Sequence, residues 1–136
     1  MEVNGGFVLN YLVSKESVIE TGKYISPDDY AETSLILRNT LISSHNLLSK
    51  RSDVTKEYLD KLADRINEFR DKLAATTNNI LEVYGGDSIL TEEANIEMYN
   101  KNKEYLDKCS VEYDERFKEF KVIAEEIYDI INKEVN

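Results

Sequence analysis

Two long segments of the chain carry apolar side chains at alternating spacings of three and four residues. This alternation is the heptad spacing of a helix that buries one continuous stripe against another helix. The first stripe consists of Leu59, Leu62, Ile66, Phe69, Leu73, Thr76, Ile80 and Val83. It predicts a helix over about residues 54–84, with Thr76 as its one polar member.

The second stripe follows the glycine pair Gly85-Gly86 and repeats the same alternation. Its members are Ile96, Tyr99, Lys103, Leu106, Ser110, Tyr113, Phe117, Phe120, Ala124, Ile127 and Ile131. Thr91 can cap the N-terminus of this helix, and Glu92 and Glu93 suit its first turn because they complement the helix dipole. The pattern predicts one helix over about residues 92–134.

A third helix is predicted over about residues 28–50. Ser26 can cap it, Pro27 fits its first position, and Asp28 and Asp29 follow. The helix should run through Leu35, Leu37, Leu41, His45 and Leu48. Ser52-Asp53 offers a capping signal for the next helix, although one long helix kinked near Ser52 is an alternative.

Residues 1–26 allow two interpretations. Phe7 to Val13 and Val18 to Ile25 could form two short strands, because Val, Ile and Tyr favour strands. The same region could instead form one amphipathic helix with Val8, Leu12 and Ile19 facing inward.

These elements predict an all-α fold with a single helical domain over residues 1–136. A bend at Gly85-Gly86 would make the helices 54–84 and 92–134 an elongated antiparallel hairpin. The helix 28–50 would cover the overhanging end of the longer helix and complete a three-helix bundle. Six acid–base pairs at i, i+4 support the helices: Glu57–Lys61, Glu68–Lys72, Glu97–Lys101, Glu104–Lys108, Asp114–Lys118 and Asp129–Lys133.

The net charge of −10 is concentrated near the C-terminus, where residues 91–136 carry thirteen acidic and seven basic side chains. Direct binding to nucleic acid is not expected, since phosphate contacts need clustered Lys and Arg. The one apolar run, residues 7–13, is too short to cross a membrane and follows no basic segment. With Cys109 as the single cysteine, we expect a cytoplasmic protein, or one exported without a cleavable signal peptide.

Few residues of this chain suggest catalysis. His45 is the only histidine and falls on an apolar stripe, and Cys109 lies beside the second stripe, so both are expected to be structural. No Glu-x-x-His spacing suits a metal, and the glycine pairs lack the sequence of a phosphate-binding loop. We therefore expect no enzymatic activity, no metal and no cofactor.

Tyrosine is unusually frequent, with nine tyrosines and no tryptophan. Tyr99, Tyr105, Tyr113 and Tyr128 lie on the acidic C-terminal segment. They can belong to the core, or they can form a contact surface, because tyrosine offers a large area at low entropic cost. At the bend, either glycine can supply the left-handed conformation that ends a helix.

The stretch Tyr84-Gly85-Gly86-Asp87-Ser88 resembles the Trp-x-Gly turn of the small helical-hairpin proteins exported by type VII secretion systems. The resemblance covers roughly residues 52–136 and implies two antiparallel helices and a co-secreted partner. Two positions depart from the family pattern. Tyr84 replaces the tryptophan, and Tyr128 is followed four residues later by Asn132 instead of an acid.

Together these features predict a non-enzymatic protein–protein interaction module, an adaptor or co-secreted subunit. Its partner would be a helical or basic protein, or a second copy of the chain. Tyr84, Gly85 and Gly86 would shape the tip, and Tyr99, Tyr105, Tyr113 and Tyr128 would make the contacts. The alternative is a small acidic inhibitor, such as an immunity protein or a phage-encoded antagonist, that blocks a basic nucleic-acid-handling enzyme.

Overall fold

The fold is all-α in the computed structural model, which describes residues 3–85 and 91–133. The helices in these residues are α1 (Val3–Val13), α2 (Pro27–Ser49), α3 (Lys56–Val83), α4 (Glu92–Lys101) and α5 (Lys103–Asn132). No strand occurs in that part of the chain. The predicted fold class is confirmed.

Side-chain caps fix where three of the helices begin. Ser26 Oγ accepts a hydrogen bond of 3.1 Å from the Asp29 N–H, and Pro27 takes the first helical position. Thr91 caps α4 by accepting from the Ala94 N–H at 3.1 Å. Both caps were predicted from the sequence. Each side-chain oxygen accepts a hydrogen bond from one of the first N–H groups of its helix, which have no partner within the helix.

The start of α3 differs from the sequence prediction. Its cap is Thr55, whose hydroxyl accepts from the Tyr58 N–H at 3.1 Å, and not Ser52-Asp53. Asp53 instead pairs with Arg51 at 2.9 Å inside the loop that follows α2. Because α2 ends at Ser49 and α3 begins at Lys56, the alternative of one long kinked helix is wrong.

The helices α3 and α5 run antiparallel, as predicted. The Tyr58 hydroxyl donates to Glu126 at 2.7 Å near one end, and the rings of Phe69 and Phe120 pack 6.1 Å apart farther along. The first stripe is confirmed: Leu62, Ile66, Phe69, Leu73, Thr76 and Ile80 are buried, and Leu59 and Val83 are partly buried.

The second stripe is continuous from Leu106 onward, and before Leu106 only Tyr99 of its members is buried. Asn102 leaves the helical conformation and divides the predicted helix 92–134 into α4 and α5. Its side-chain amide and its backbone N–H both donate to the Met98 carbonyl, at 2.9 and 3.1 Å. As a result Ile96 and Lys103, which were predicted to face inward, are exposed.

The N-terminal segment supplies a further helix of the bundle. Residues 3–13 are helical, so the interpretation as two strands is wrong. Leu9 and Leu12 of α1 are buried against α5 and α2, while Val8 is one-third exposed. Ile19 is buried, as predicted, but it lies in the loop after α1 and not in a helix. The predicted three-helix bundle is therefore a bundle of α1, α2, α3 and α5, with α4 attached to α5.

Candidate interaction face

Tyr84 packs inward at the bend. Its side chain is only 3% exposed. Its ring lies 6.5 Å from that of Tyr24, which in turn lies 5.8 Å from the ring of Tyr99. Gly85 adopts φ +90°, the left-handed conformation expected at the end of α3. Gly86 lies outside the described residues.

Burial shifts the acidity of this aromatic cluster. It raises the pKa of Tyr24 to about 12, with a further contribution from the Glu92 carboxylate. Among the described residues the Tyr24 hydroxyl has no hydrogen bond of ordinary geometry. Burial likewise raises the pKa of Tyr84 and Tyr99. The cluster joins the loop before α2 to α3 and α4, so its rings stabilise the bend from inside.

Tyr113 is fully buried where α2, α3 and α5 meet. Its hydroxyl lies 2.8 Å from Ser34 Oγ and donates to the Tyr30 carbonyl at 3.3 Å. Ser34 Oγ also lies 2.9 Å from Thr77 Oγ1. Burial raises the pKa of Tyr113 to about 12, while its hydrogen bond with Ser34 acts in the opposite direction.

The predicted contact tyrosines therefore do not form one surface. Tyr84, Tyr99 and Tyr113 are core side chains. Tyr105 is 48% exposed, and Tyr128 is partly buried. Periodicity placed Tyr99 and Tyr113 on the buried stripe, and that placement holds for both.

His45 and Cys109 have structural surroundings. His45 is partly buried, and its Nε2 lies 2.9 Å from the Leu59 carbonyl oxygen on α3. Cys109 is buried, and burial raises the pKa of its thiol, which disfavours the reactive thiolate. Within residues 3–85 and 91–133 no three His, Cys, Asp or Glu side chains are grouped so that they could hold a metal ion.

The charged side chains are concentrated on two helices. Eleven charged residues lie on α3 and fourteen on α5. One cross-helix pair joins them: Arg65 binds Glu126 at 2.7 Å. Although burial opposes ionisation of Glu126, its bonds to Arg65 and Tyr58 hold the pKa of that carboxyl below its usual range.

The outward side of α1 and α2 is almost free of charge. No charged residue occurs in α1, and Arg38 is the only Asp, Glu, Lys or Arg between Glu32 and Lys50. Large apolar side chains are exposed on this side: Val8, Leu35, Ile36 and Ile42. Leu35 is 49% exposed, while its neighbour Leu37 is fully buried. The helix α2 thus presents apolar residues both to the core and to the solvent.

Between α1 and α2, three of these side chains, Val8, Leu35 and Ile36, border a groove of about 380 Å³. We call it the α1/α2 groove. It is lined by Val8, Glu32, Leu35, Ile36, Asn39, Thr40 and Ser43. Sequence reasoning missed this face because it followed the buried stripes. The sequence nevertheless contains an indication of this face, because residues 33–49 include only one charged residue, Arg38, in a chain that is 32% charged.

Comparison of the chain with protein-family models, with curated proteins and with solved structures gives no match. Among the helices of the described residues, none is both long and apolar enough to cross a membrane.

Proposed function

We propose that this protein is a non-enzymatic protein–protein interaction module that binds an amphipathic helix of a partner protein in the α1/α2 groove. One observation carries the proposal. In a chain with a net charge of −10, the outward side of α1 and α2 combines exposed Val8, Leu35, Ile36 and Ile42 with an almost complete lack of charge.

This combination is typical of the central part of a protein interface. Charged residues are depleted there, because a charge that loses water at a contact must find a partner. Exposed apolar side chains scattered singly are ordinary on protein surfaces, but contiguous ones mark interaction sites. Here Val8 from α1 and both Leu35 and Ile36 from α2 line the same groove.

The lining positions along α2 offer a surface on which a helix can pack. Along α2 its lining positions Glu32, Ile36, Asn39 and Ser43 follow helical spacing and form one continuous ridge. A partner helix laid along this ridge would place apolar residues at i, i+3, i+4 and i+7 into the groove. The predicted helical partner is therefore kept in this proposal, while the buried Tyr84, Tyr99 and Tyr113 are not among its contacts.

The proposal is tested by a matched pair of substitutions. Ile36→Lys places a charge in the α1/α2 groove, and Val122→Lys places the same charge at a 63% exposed valine on α5. Once a partner has been captured from native cells, its Kd is measured for the original chain and for both variants. We expect Ile36→Lys to weaken binding at least about tenfold, about 1.4 kcal/mol, and Val122→Lys to change it less than about twofold.

Equal loss in both variants, or no captured partner, would contradict the proposal. Sedimentation of the purified chain supplies a further check on the identity of the partner. If a concentration-dependent dimer forms and Ile36→Lys abolishes it, the groove binds a second copy and not a different protein.

The acidic inhibitor is the second candidate, and the pairing of the acids favours the interaction module over it. A phosphate mimic needs unpaired carboxylates, yet Glu57–Lys61, Glu68–Lys72, Glu97–Lys101 and Asp114–Lys118 all lie within 4.0 Å. Salt separates the two candidates, because at ~1 M salt the Debye length falls to about 3 Å. Binding through an apolar groove should persist there, and binding by mimicry should not.

Export by a type VII system stays a prediction from the turn at Tyr84.

A further inference from the structure

A second cavity lies between α2 and α3, on the other side of Leu35 from the α1/α2 groove. Its volume is about 260 Å³, and we call it the α2/α3 cleft. The residues that line it are Ala31, Ser34, Leu35, Arg38, Arg70, Leu73, Ala74, Thr77 and Asn78. Its walls are mostly apolar, and it contains two arginines and no acidic residue.

The two arginines face the cleft from opposite helices. Arg38 belongs to α2 and Arg70 to α3. Neither makes an ion pair within the part of the chain that the structure describes, even though acids outnumber bases there. Two unpaired cations that line one small cavity favour the binding of an anion there.

The Arg38 guanidinium also contains a donor without a partner. Its Nε is buried, and within the described residues it has no hydrogen-bond partner. A buried donor left unpaired costs about 1–3 kcal/mol, and more when the group is charged. Such a group in a folded protein calls for an explanation, and a ligand that accepts its hydrogen bond is one.

The two hydroxyl groups of the cleft already have partners, and the Asn78 amide also lines it. Ser34 Oγ donates to the Tyr30 carbonyl at 2.8 Å, and Thr77 Oγ1 donates to the Leu73 carbonyl at 2.7 Å. The two hydroxyls also lie 2.9 Å from each other. The guanidinium groups are therefore the main donors available to a ligand.

We propose that the α2/α3 cleft binds a carboxylate carried on a short apolar body. Planar guanidinium groups match the two oxygens of a carboxylate with paired hydrogen bonds. The apolar walls formed by Ala31, Leu35, Leu73 and Ala74 suit a short hydrocarbon chain, which inorganic phosphate lacks. This site does not depend on the function proposed for the α1/α2 groove.

The test is a titration of the full chain with three small probes, followed by amide chemical shifts. Pentanoate carries the charge and the apolar body, pentanamide carries the body alone, and inorganic phosphate carries the charge alone. We expect saturable shifts at residues 31–38 and 70–78 with pentanoate, and binding at least about tenfold weaker with either other probe.

Substitutions assign the site. Arg70→Gln and Arg38→Gln should each weaken pentanoate binding at least about tenfold, and Arg70→Lys should weaken it less because the charge is kept. Lys61→Gln is the matched control, since Lys61 is an exposed cation of α3 that pairs with Glu57 outside the cleft. Arg70 is exposed, so its substitution tests the site even if Arg38→Gln disturbs folding.

Three results would overturn the proposal: shifts spread over all cationic residues, unchanged binding in Arg70→Gln, or phosphate binding as tight as that of pentanoate. A short peptide with one glutamate between apolar residues distinguishes the source of the carboxylate. If the peptide binds the cleft and pentanoate does not, the natural ligand is an acidic side chain of a partner. Ile36→Lys should leave pentanoate binding unchanged, so failure of the groove and failure of the cleft are separable.

Discussion

At the scale of single residues, hydroxyl groups join the three longest helices. These groups belong to Ser34 of α2, Thr77 of α3 and Tyr113 of α5. Ser34 Oγ lies 2.9 Å from Thr77 Oγ1 and 2.8 Å from the Tyr113 hydroxyl oxygen. Ser34 and Thr77 can each donate to a carbonyl of their own helix, and Tyr113 can donate either to Ser34 or to the Tyr30 carbonyl. Such a network fixes the relative positions of the helices, because apolar packing alone tolerates sliding.

Removing one hydroxyl from this network should lower the stability of the whole chain. We expect Tyr113→Phe to reduce the free energy of unfolding by about 1 kcal/mol, the usual net contribution of a hydrogen bond. Urea denaturation followed by circular dichroism measures the change. Tyr105→Phe is the control, because Tyr105 is exposed on the same helix and its substitution should cost less than about 0.5 kcal/mol. Equal effects of the two substitutions would show that the network adds no stability.

Tyr84 shows what the sequence can and cannot predict for one residue. The glycine conformation at the bend followed from the two adjacent helices, and Gly85 adopts it. The orientation of Tyr84 depends on Tyr24, which is sixty residues away in the chain. No local pattern contains such a contact, so the burial of Tyr84 could not be predicted.

At the scale of elements, the heptad stripes predicted α3 and most of α5, but not the break at Asn102. The apolar spacing does not indicate this break, because Tyr99 before it and Leu106 after it are both buried. Asn102 is a partly buried polar residue, and its type alone is compatible with a continuous helix. Tyr99, near the end of α4, makes tertiary contacts with Tyr24 and with Asp107, and these hold α4 in place.

The attachment of α4 should therefore depend on the Tyr99 hydroxyl, which donates to Asp107 at 2.5 Å. We expect Tyr99→Phe to speed hydrogen exchange of the later amides of α4 about fivefold, as follows from losing about 1 kcal/mol of local stability. Amides of α3 should keep their exchange rates. Tyr128→Phe, a matched substitution near the other end of α5, should leave α4 unchanged. If exchange in α4 does not respond to Tyr99→Phe, the hydroxyl does not hold this helix.

The N-terminal helix was predictable only as one of two alternatives. Its sequence, Val3–Val13, contains two glycines and several residues that favour strands. It forms a helix because Leu9 and Leu12, three residues apart, fill the space beside α5 and α2. Tertiary burial thus overrides local preference.

At the scale of the whole molecule, the charged residues are concentrated on one side and are rare on the other. The helices α3 and α5 carry most of the charged residues, and α1 and α2 present the α1/α2 groove, in which Glu32 is the one charged lining residue. The sequence showed where charges are dense, and this led to the acidic C-terminal segment as the candidate surface. The opposite side became evident only once the fold had placed Val8 beside Leu35 and Ile36.

Buried tyrosines give the molecule a predictable response to high pH. Burial raises the pKa of Tyr24, Tyr58 and Tyr113 to about 12, from an ordinary value of 10.0, and raises that of Tyr30 and Tyr84 as well. The unfolded chain therefore loses these protons at lower pH than the folded chain does. The stability that they contribute is fully present below about pH 10 and decreases as pH rises toward 12.

This decrease should be large enough to unfold the protein. A shift of two pKa units in a fully buried group such as Tyr113 corresponds to about 3 kcal/mol, and a whole domain is stable by only about 5–15 kcal/mol. We expect the helical circular dichroism signal and the tyrosinate absorbance of the buried rings to change together between about pH 10 and 12. In Tyr113→Phe the loss of stability across this range should be shallower, while Tyr105→Phe should follow the original chain. Complete ionisation of the tyrosines with the helical signal intact would mean that the phenols are accessible to water in the folded protein.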